Sequence, residues 1–138
     1  MFKTILLAVD ASPGAEKAAA VAANLAIADG DEVVVVHVTE IMPARGGGAY
    51  ELDIDSESIE RAKRYAQELQ ASGVPARADI RHALTGHAAR VLVEAAEEHG
   101  AGLIVMGSRG MTDLAALVLG SVTHKVLHLS TVPVLVAR

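Results

Sequence analysis

Glu32-Val33-Val34-Val35-Val36-His37-Val38 carries four consecutive valines with no polar residue between them. A strand with one wet face alternates apolar and polar residues. A run without alternation suits a strand buried on both faces, as in a parallel sheet covered by helices. Four other apolar runs flank it: Thr4 to Val9, the weaker Ala76 to Leu84, Leu103 to Met106, and Val132 to Ala137. The segments between them read as helices. Ser12 is placed to cap the first, with Pro13 at its first position and Gly30 just past its end. The second runs from about Asp55 to Ser72, with Ile59, Ala62, Ala66 and Leu69 on one face. The third spans Thr85-Gly86 to His99-Gly100, with Val91, Leu92, Ala95 and Ala96 as its apolar stripe. The fourth runs from Gly120-Ser121 to Leu129-Ser130. Alternation of this kind implies right-handed crossovers and an α/β domain with helices on both faces of a parallel sheet.

Composition narrows the function classes. A chain of 138 residues has the size of one domain, and residues 1–138 are expected to form a single one. With no cysteine, disulfides, thiolate metal sites and cysteine nucleophiles are all excluded. A net charge of −5 argues against nucleic-acid binding, and Phe2, Tyr50 and Tyr65 are too few rings to stack a row of bases. No apolar run approaches the ~18 residues of a membrane span. The opening run is stopped by Asp10 and is too short for a signal-peptide core, so a cytoplasmic protein is expected.

In sheets of this type ligands bind beyond the carboxyl ends of the strands, where strand order reverses. That directs attention to Asp10, Val38-Thr39 and Gly107. After Gly107 comes the most informative spacing in the chain: Gly107-Ser108-Arg109-Gly110, nine residues, then Gly120-Ser121-Val122-Thr123. Two readings fit. In one, the glycines end a strand, make a turn and begin a helix. In the other they cradle phosphates. Gly107 lets a ligand approach the backbone, Gly110 permits a tight turn, and Gly120 opens a helix whose free amides at Ser121, Val122 and Thr123 attract an anion. The Ser121 and Thr123 hydroxyls add possible bonds to phosphate oxygens. The dipole contributes ~0.3–2 kcal/mol and each hydrogen bond to a charged group about 1.5–3 kcal/mol. A few such bonds reach the roughly 8 kcal/mol of micromolar binding. The spacing is not a P-loop, since Lys125 lies inside the helix and not beside the last glycine. No G-x-G-x-x-G follows the first strand either.

With these residues in view, the chain resembles the universal stress protein family, in its small single-domain, ATP-binding form, over nearly its whole length. The resemblance is carried by Ile5-Leu6-Leu7-Ala8-Val9-Asp10, Val36-His37-Val38, Leu103 to Gly110, Leu119 to Thr123, and Val132-Pro133-Val134-Leu135-Val136. It implies a Rossmann-like fold of the adenine nucleotide alpha hydrolase type, a five-stranded parallel sheet of order 3-2-1-4-5. It implies that Ala8, Val9, Asp10 and Val38 line the adenosine, with backbone near Val38 reading the adenine edge and Asp10 near the ribose or a phosphate-bound metal. It places Gly107, Arg109, Gly110, Gly120, Ser121, Val122 and Thr123 around the phosphates of ATP, with Mg2+ or Mn2+ held by those phosphates. It further implies a homodimer joined along Val132 to Ala137. One departure is Ala101-Gly102, where the family often has an aspartate before the fourth strand.

Several residues keep two readings. Asp10 is either a ligand-side carboxylate or the cap of the turn toward the first helix. Arg109 either clamps phosphate bidentately or is solvated. His124 and His128 share a helix face but lack a third ligand. His37 reads as a strand-end residue. The stretch from Ile41 to Ile54, containing Arg45-Gly46-Gly47-Gly48-Ala49, reads as a loop on the ligand side, either folding over a nucleotide or disordered. A response-regulator site is excluded, because Arg81-His82-Ala83-Leu84 ends the third run where a phosphorylatable aspartate would stand. The residues point to nucleotide binding, and the resemblance implies an ATP-binding regulator in a stress response. The alternatives are a dimeric interaction module that ignores nucleotide and a slow ATPase or phosphotransferase. Without a P-loop lysine or an obvious base, fast hydrolysis is not expected.

Overall fold

The structure of the protein is a computed structural model that describes residues 1–10, 12–43, 50–51, 56–108 and 119–138. In chain order its elements are β1 (Thr4–Ala8), α1 (Pro13–Asp29), β2 (Glu32–Pro43), β3 (Tyr50–Glu51), α2 (Ser56–Ala71), β4 (Ala76–Leu84), α3 (Ala88–Glu98), β5 (Leu103–Gly107), α4 (Ser121–Leu129) and β6 (Val134–Ala137). Five strands run parallel in the spatial order β4-β2-β1-β5-β6. Numbered among themselves along the chain, these five have the expected order 3-2-1-4-5, and the order reverses between β1 and β5.

The four valines divide between two cores, because neighbouring residues of a strand point to opposite faces. Val33 and Val35 join Ile5, Leu7, Leu103 and Val105 beneath α1 and α2. Val34 and Val36 join Leu6, Ala8, Ile104 and Met106 beneath α3 and α4. α1 buries only alanines, Ala15, Ala18, Ala22 and Ala26, spaced three or four apart, so its backbone comes close to the sheet. Gly30 ends that helix in the left-handed region at φ 74.

Two boundaries differ from expectation. The stretch beginning at Ile41 opens as strand. β2 continues to Pro43, paired with β4 as far as Ile41↔Leu84 and with β3 at Met42↔Glu51 and Pro43↔Tyr50. Thr39 and Glu40 interrupt the apolar run but not the backbone ladder, which β4 supplies past the end of the core. Residues 44–49 and 52–55, including Arg45 to Ala49, lie outside the described residues. α3 starts at Ala88, because Gly86 at φ +86 turns the chain and Thr85 donates its amide to the Ile41 carbonyl at 3.2 Å.

The Ala101-Gly102 departure has a packing reason. A Cβ on Gly102 would lie 2.8 Å from the Phe2 carbonyl oxygen, and the Gly102 amide donates to the Thr4 carbonyl at 2.9 Å. No helix among the described residues is long and apolar enough to cross a membrane.

Candidate functional site

The carboxyl ends of β1, β2 and β5 open onto a cleft of about 230 Å3, at the point where strand order reverses. Ala8, Val9, Asp10, Val38, Gly107, Gly120, Ser121, Val122 and Thr123 line it together. Arg109 and Gly110 lie outside the described residues. Sequence reasoning did not assign Ser12, Ala15, His37, Glu40, Ala88, Leu92 or Met106 to the site, though all seven also line the cleft.

At one end stands the start of α4. Gly120 caps it in an extended conformation, φ −59 and ψ 153, with its amide donated to the Ser108 carbonyl at 2.7 Å. The next three amides, those of Ser121, Val122 and Thr123, occupy the first turn and so lack intrahelical acceptors. No described residue accepts from them. They make a helix start that attracts an anion through unpaired N–H groups and the helix dipole.

One sequence-based expectation about this end needs correction, and a second gains a reason within the fold. Thr123 does not keep its hydroxyl proton for an incoming oxygen. It is 4% exposed and donates to the Gly107 carbonyl at 2.9 Å, tying α4 to the end of β5. Gly107 lacks a side chain for a reason internal to the fold. A Cβ there would lie 3.0 to 3.2 Å from backbone atoms of Gly14, at the start of α1.

At the other end, β2 outruns β1. The Val9 amide donates to the Val36 carbonyl at 3.0 Å, beyond the last β1–β2 register pair, Ala8↔Val36. Amide and carbonyl of one strand residue point to the same side, and sides alternate along the strand. Val38 therefore turns an amide donor and a carbonyl acceptor toward the β1 side, past the end of β1. Ala88, Leu92 and Met106 supply apolar wall on the α3 face. Glu40 ties the rim to the turn before α3 by accepting from the Gly86 amide at 3.2 Å.

Between the two ends lies the turn from β1 to α1. One oxygen of Asp10 accepts from the Ser12 amide at 2.8 Å and also from the Ser12 hydroxyl. The turn-closing reading of Asp10 is thus realised in the structure. His37 is more than a strand-end residue: it is 5% exposed, with Nδ1 3.0 Å from the Val9 carbonyl oxygen. Thr39, two residues further along β2, is buried as well. The signal for both was parity, since residues 37 and 39 continue the face of Val33 and Val35. Among the described residues no group of three His, Cys, Asp or Glu is placed to hold a metal. His124 and His128 instead pack edge-to-face, ring centres 5.0 Å apart, on an exposed face of α4.

The model of the universal stress protein family matches residues 1–138. The chain is 40% identical over 139 residues to the Thermus aquaticus universal stress protein of the QAH/OAS sulfhydrylase 3′ region, with both chains covered completely. A solved universal stress protein from Archaeoglobus fulgidus superimposes with a TM-score of 0.78 at 24% identity, covering 100% of each chain. A second structure from that organism, in complex with dAMP, gives 0.73 at 23% identity, covering 100% of this chain and 98% of the other. These two likenesses are of fold.

Proposed function

Because the chain belongs to the universal stress protein family, we propose that its cleft binds ATP and that occupancy regulates a stress response in the cytoplasm. The observation that carries this reading is the start of α4, where three amides without acceptors among the described residues border a cleft. The phosphates belong there, with Arg109 and Gly110 as further residues assigned to them and Mg2+ or Mn2+ carried by the phosphates themselves. Adenine belongs at Val38, whose neighbouring donor and acceptor suit the amino group and ring nitrogen of its edge. No lysine lines the cleft among the described residues, which favours binding over rapid phosphoryl transfer.

A homodimer is the second part of the proposal. β6 is an edge strand, and the Pro133 and Ala137 carbonyls accept from β5 and from Ser108 just past its end. By alternation Val134 and Val136 turn their amides and carbonyls outward, on a strand that is apolar throughout. An uncovered edge of this kind invites pairing, and a second copy along Val132 to Ala137 covers it.

Thermal melting with ATP, with and without Mg2+, tests the nucleotide. At a free concentration of about 100 Kd, ligand adds ~2.7 kcal/mol, which for a chain of this length raises Tm by roughly 9 °C. An unchanged Tm at millimolar ATP, with the dimer intact, would favour the nucleotide-independent interaction module instead.

A further inference from the structure

We infer that His37 reads the sugar of the bound nucleotide, accepting a hydrogen bond from a ribose hydroxyl through Nε2. This rests on the nucleotide reading of the cleft.

The ring's two nitrogens stand in different surroundings. Nδ1 lies 3.0 Å from the Val9 carbonyl oxygen, and a carbonyl only accepts, so Nδ1 carries the proton of that bond. The Nε2 of the neutral ring is then a lone-pair acceptor. It is buried and has no hydrogen-bond partner among the described residues, although His37 lines the cleft. A buried polar atom left without a partner is costly, and native structures rarely leave one unexplained. The fixed tautomer decides what answers it. A lone pair bonds a donor and is repelled by the oxygens of a phosphate.

Position decides which part of the ligand that donor belongs to. Val38 offers its donor and acceptor on β2, and the free amides stand at α4 beyond β5. Two strand spacings, about 10 Å, separate β2 from β5, with the end of β1 between them. His37 is anchored on Val9, the residue just past β1. What crosses that point in a nucleotide spanning the cleft is the sugar, and its hydroxyls are donors. Asp10, next in sequence, has one oxygen engaged by Ser12, so His37 adds an acceptor on the same wall.

The test compares ATP, 2′-deoxy-ATP and 3′-deoxy-ATP by calorimetry on the wild-type chain, His37→Asn and His37→Gln. Asn places an amide N–H near the position of Nδ1 and nothing at Nε2. Gln reaches toward the position of Nε2. The wild type is expected to bind one deoxy analogue roughly two- to tenfold more weakly than ATP, the range of one net hydrogen bond. His37→Asn is expected to hold its melting temperature and lose that discrimination, and His37→Gln to recover part of it. Equal affinity of the wild type for all three nucleotides overturns the assignment while leaving ATP binding intact, and needs no variant to fold. Discrimination that survives in His37→Asn overturns it equally. No binding of any of the three removes the nucleotide reading and this inference together.

Discussion

Replacing Ser121 by proline separates the amide from the side chain at the candidate phosphate cradle. Proline is tolerated at the first position of a helix, where the missing N–H has no helical partner. The residue before a proline must be extended, and Gly120 already sits at φ −59 and ψ 153. The Ser121 side chain is exposed. The substitution should therefore leave stability within about 0.5 kcal/mol, the range of ordinary surface changes. What it removes is one unpaired donor facing the cleft. A hydrogen bond to a charged group is worth about 1.5–3 kcal/mol, so ATP should bind roughly 10- to 150-fold more weakly. Ser121→Ala is the control, since it deletes the hydroxyl and keeps the amide. Calorimetric titration with ATP, beside a urea melt of each variant, reads both quantities. If Ser121→Pro and Ser121→Ala fold and bind ATP equally well, the amide does not face a phosphate and the reasoning from the helix start is wrong.

Gly107→Ala places a Cβ 3.0 Å from the Gly14 backbone and should cost about 1–3 kcal/mol, lowering Tm by roughly 3–10 °C in a thermal melt without ligand; an unchanged Tm would mean that α1 yields freely there. Val136→Pro deletes an outward amide of β6 while sparing the bonds of Pro133 and Ala137 to β5 and Ser108, so ultracentrifugation should show dimer shifting to monomer with little loss of helix signal; a dimer as tight as the wild type's would place the interface elsewhere. Burial pushes the Asp79 carboxyl up, but hydrogen bonds from His99 and Arg81 outweigh it and hold the group below its ordinary 3.8. A lowered folded value means the stabilisation is complete well above pH 4 and is lost as pH falls through that value. Asp79→Asn should therefore fall furthest behind the wild type at neutral pH and approach it near pH 3, and a constant gap between urea melts at pH 7 and pH 3 would contradict the assignment.

Much of the fold was legible because the signals were local. Four adjacent valines require cover on both faces, and Pro13 and Gly30 mark the two ends of α1. The errors arose where a distant element decides. β2 runs past Val38 because β4 lies alongside it, and no property of Thr39 or Glu40 announces that neighbour. His37 reads as a strand-end residue until the ladder shows β1 stopping short of it, which turns a side chain at the strand's end into a wall of the cleft. Asp10 offered two roles in sequence; only the position of Ser12 reveals that its carboxylate closes the turn, while the residue also lines the cleft.

The glycine spacing shows the same division inside a single motif. Four of its residues, Gly107, Ser108, Gly120 and Thr123, bond to one another or pack against the start of α1. Gly107 admits the backbone of Gly14, the Thr123 hydroxyl holds the Gly107 carbonyl, and the Gly120 amide holds the Ser108 carbonyl. Ser108 in turn donates to the Ala137 carbonyl at 3.0 Å, which fastens this corner to the last strand. These ties occupy the Gly107 and Ser108 carbonyls, acceptors that would otherwise compete with an anion for the free amides, and fix the first turn of α4 against the end of β5. The amides of Ser121, Val122 and Thr123 are left without acceptors among the described residues, at the border of the cleft. A donor set held in place before the ligand arrives loses little freedom on binding. The same spacing therefore serves both readings considered for it: Gly107, Gly120 and Thr123 hold the fold together, and the anion site proposed above would be the consequence of the structure they make.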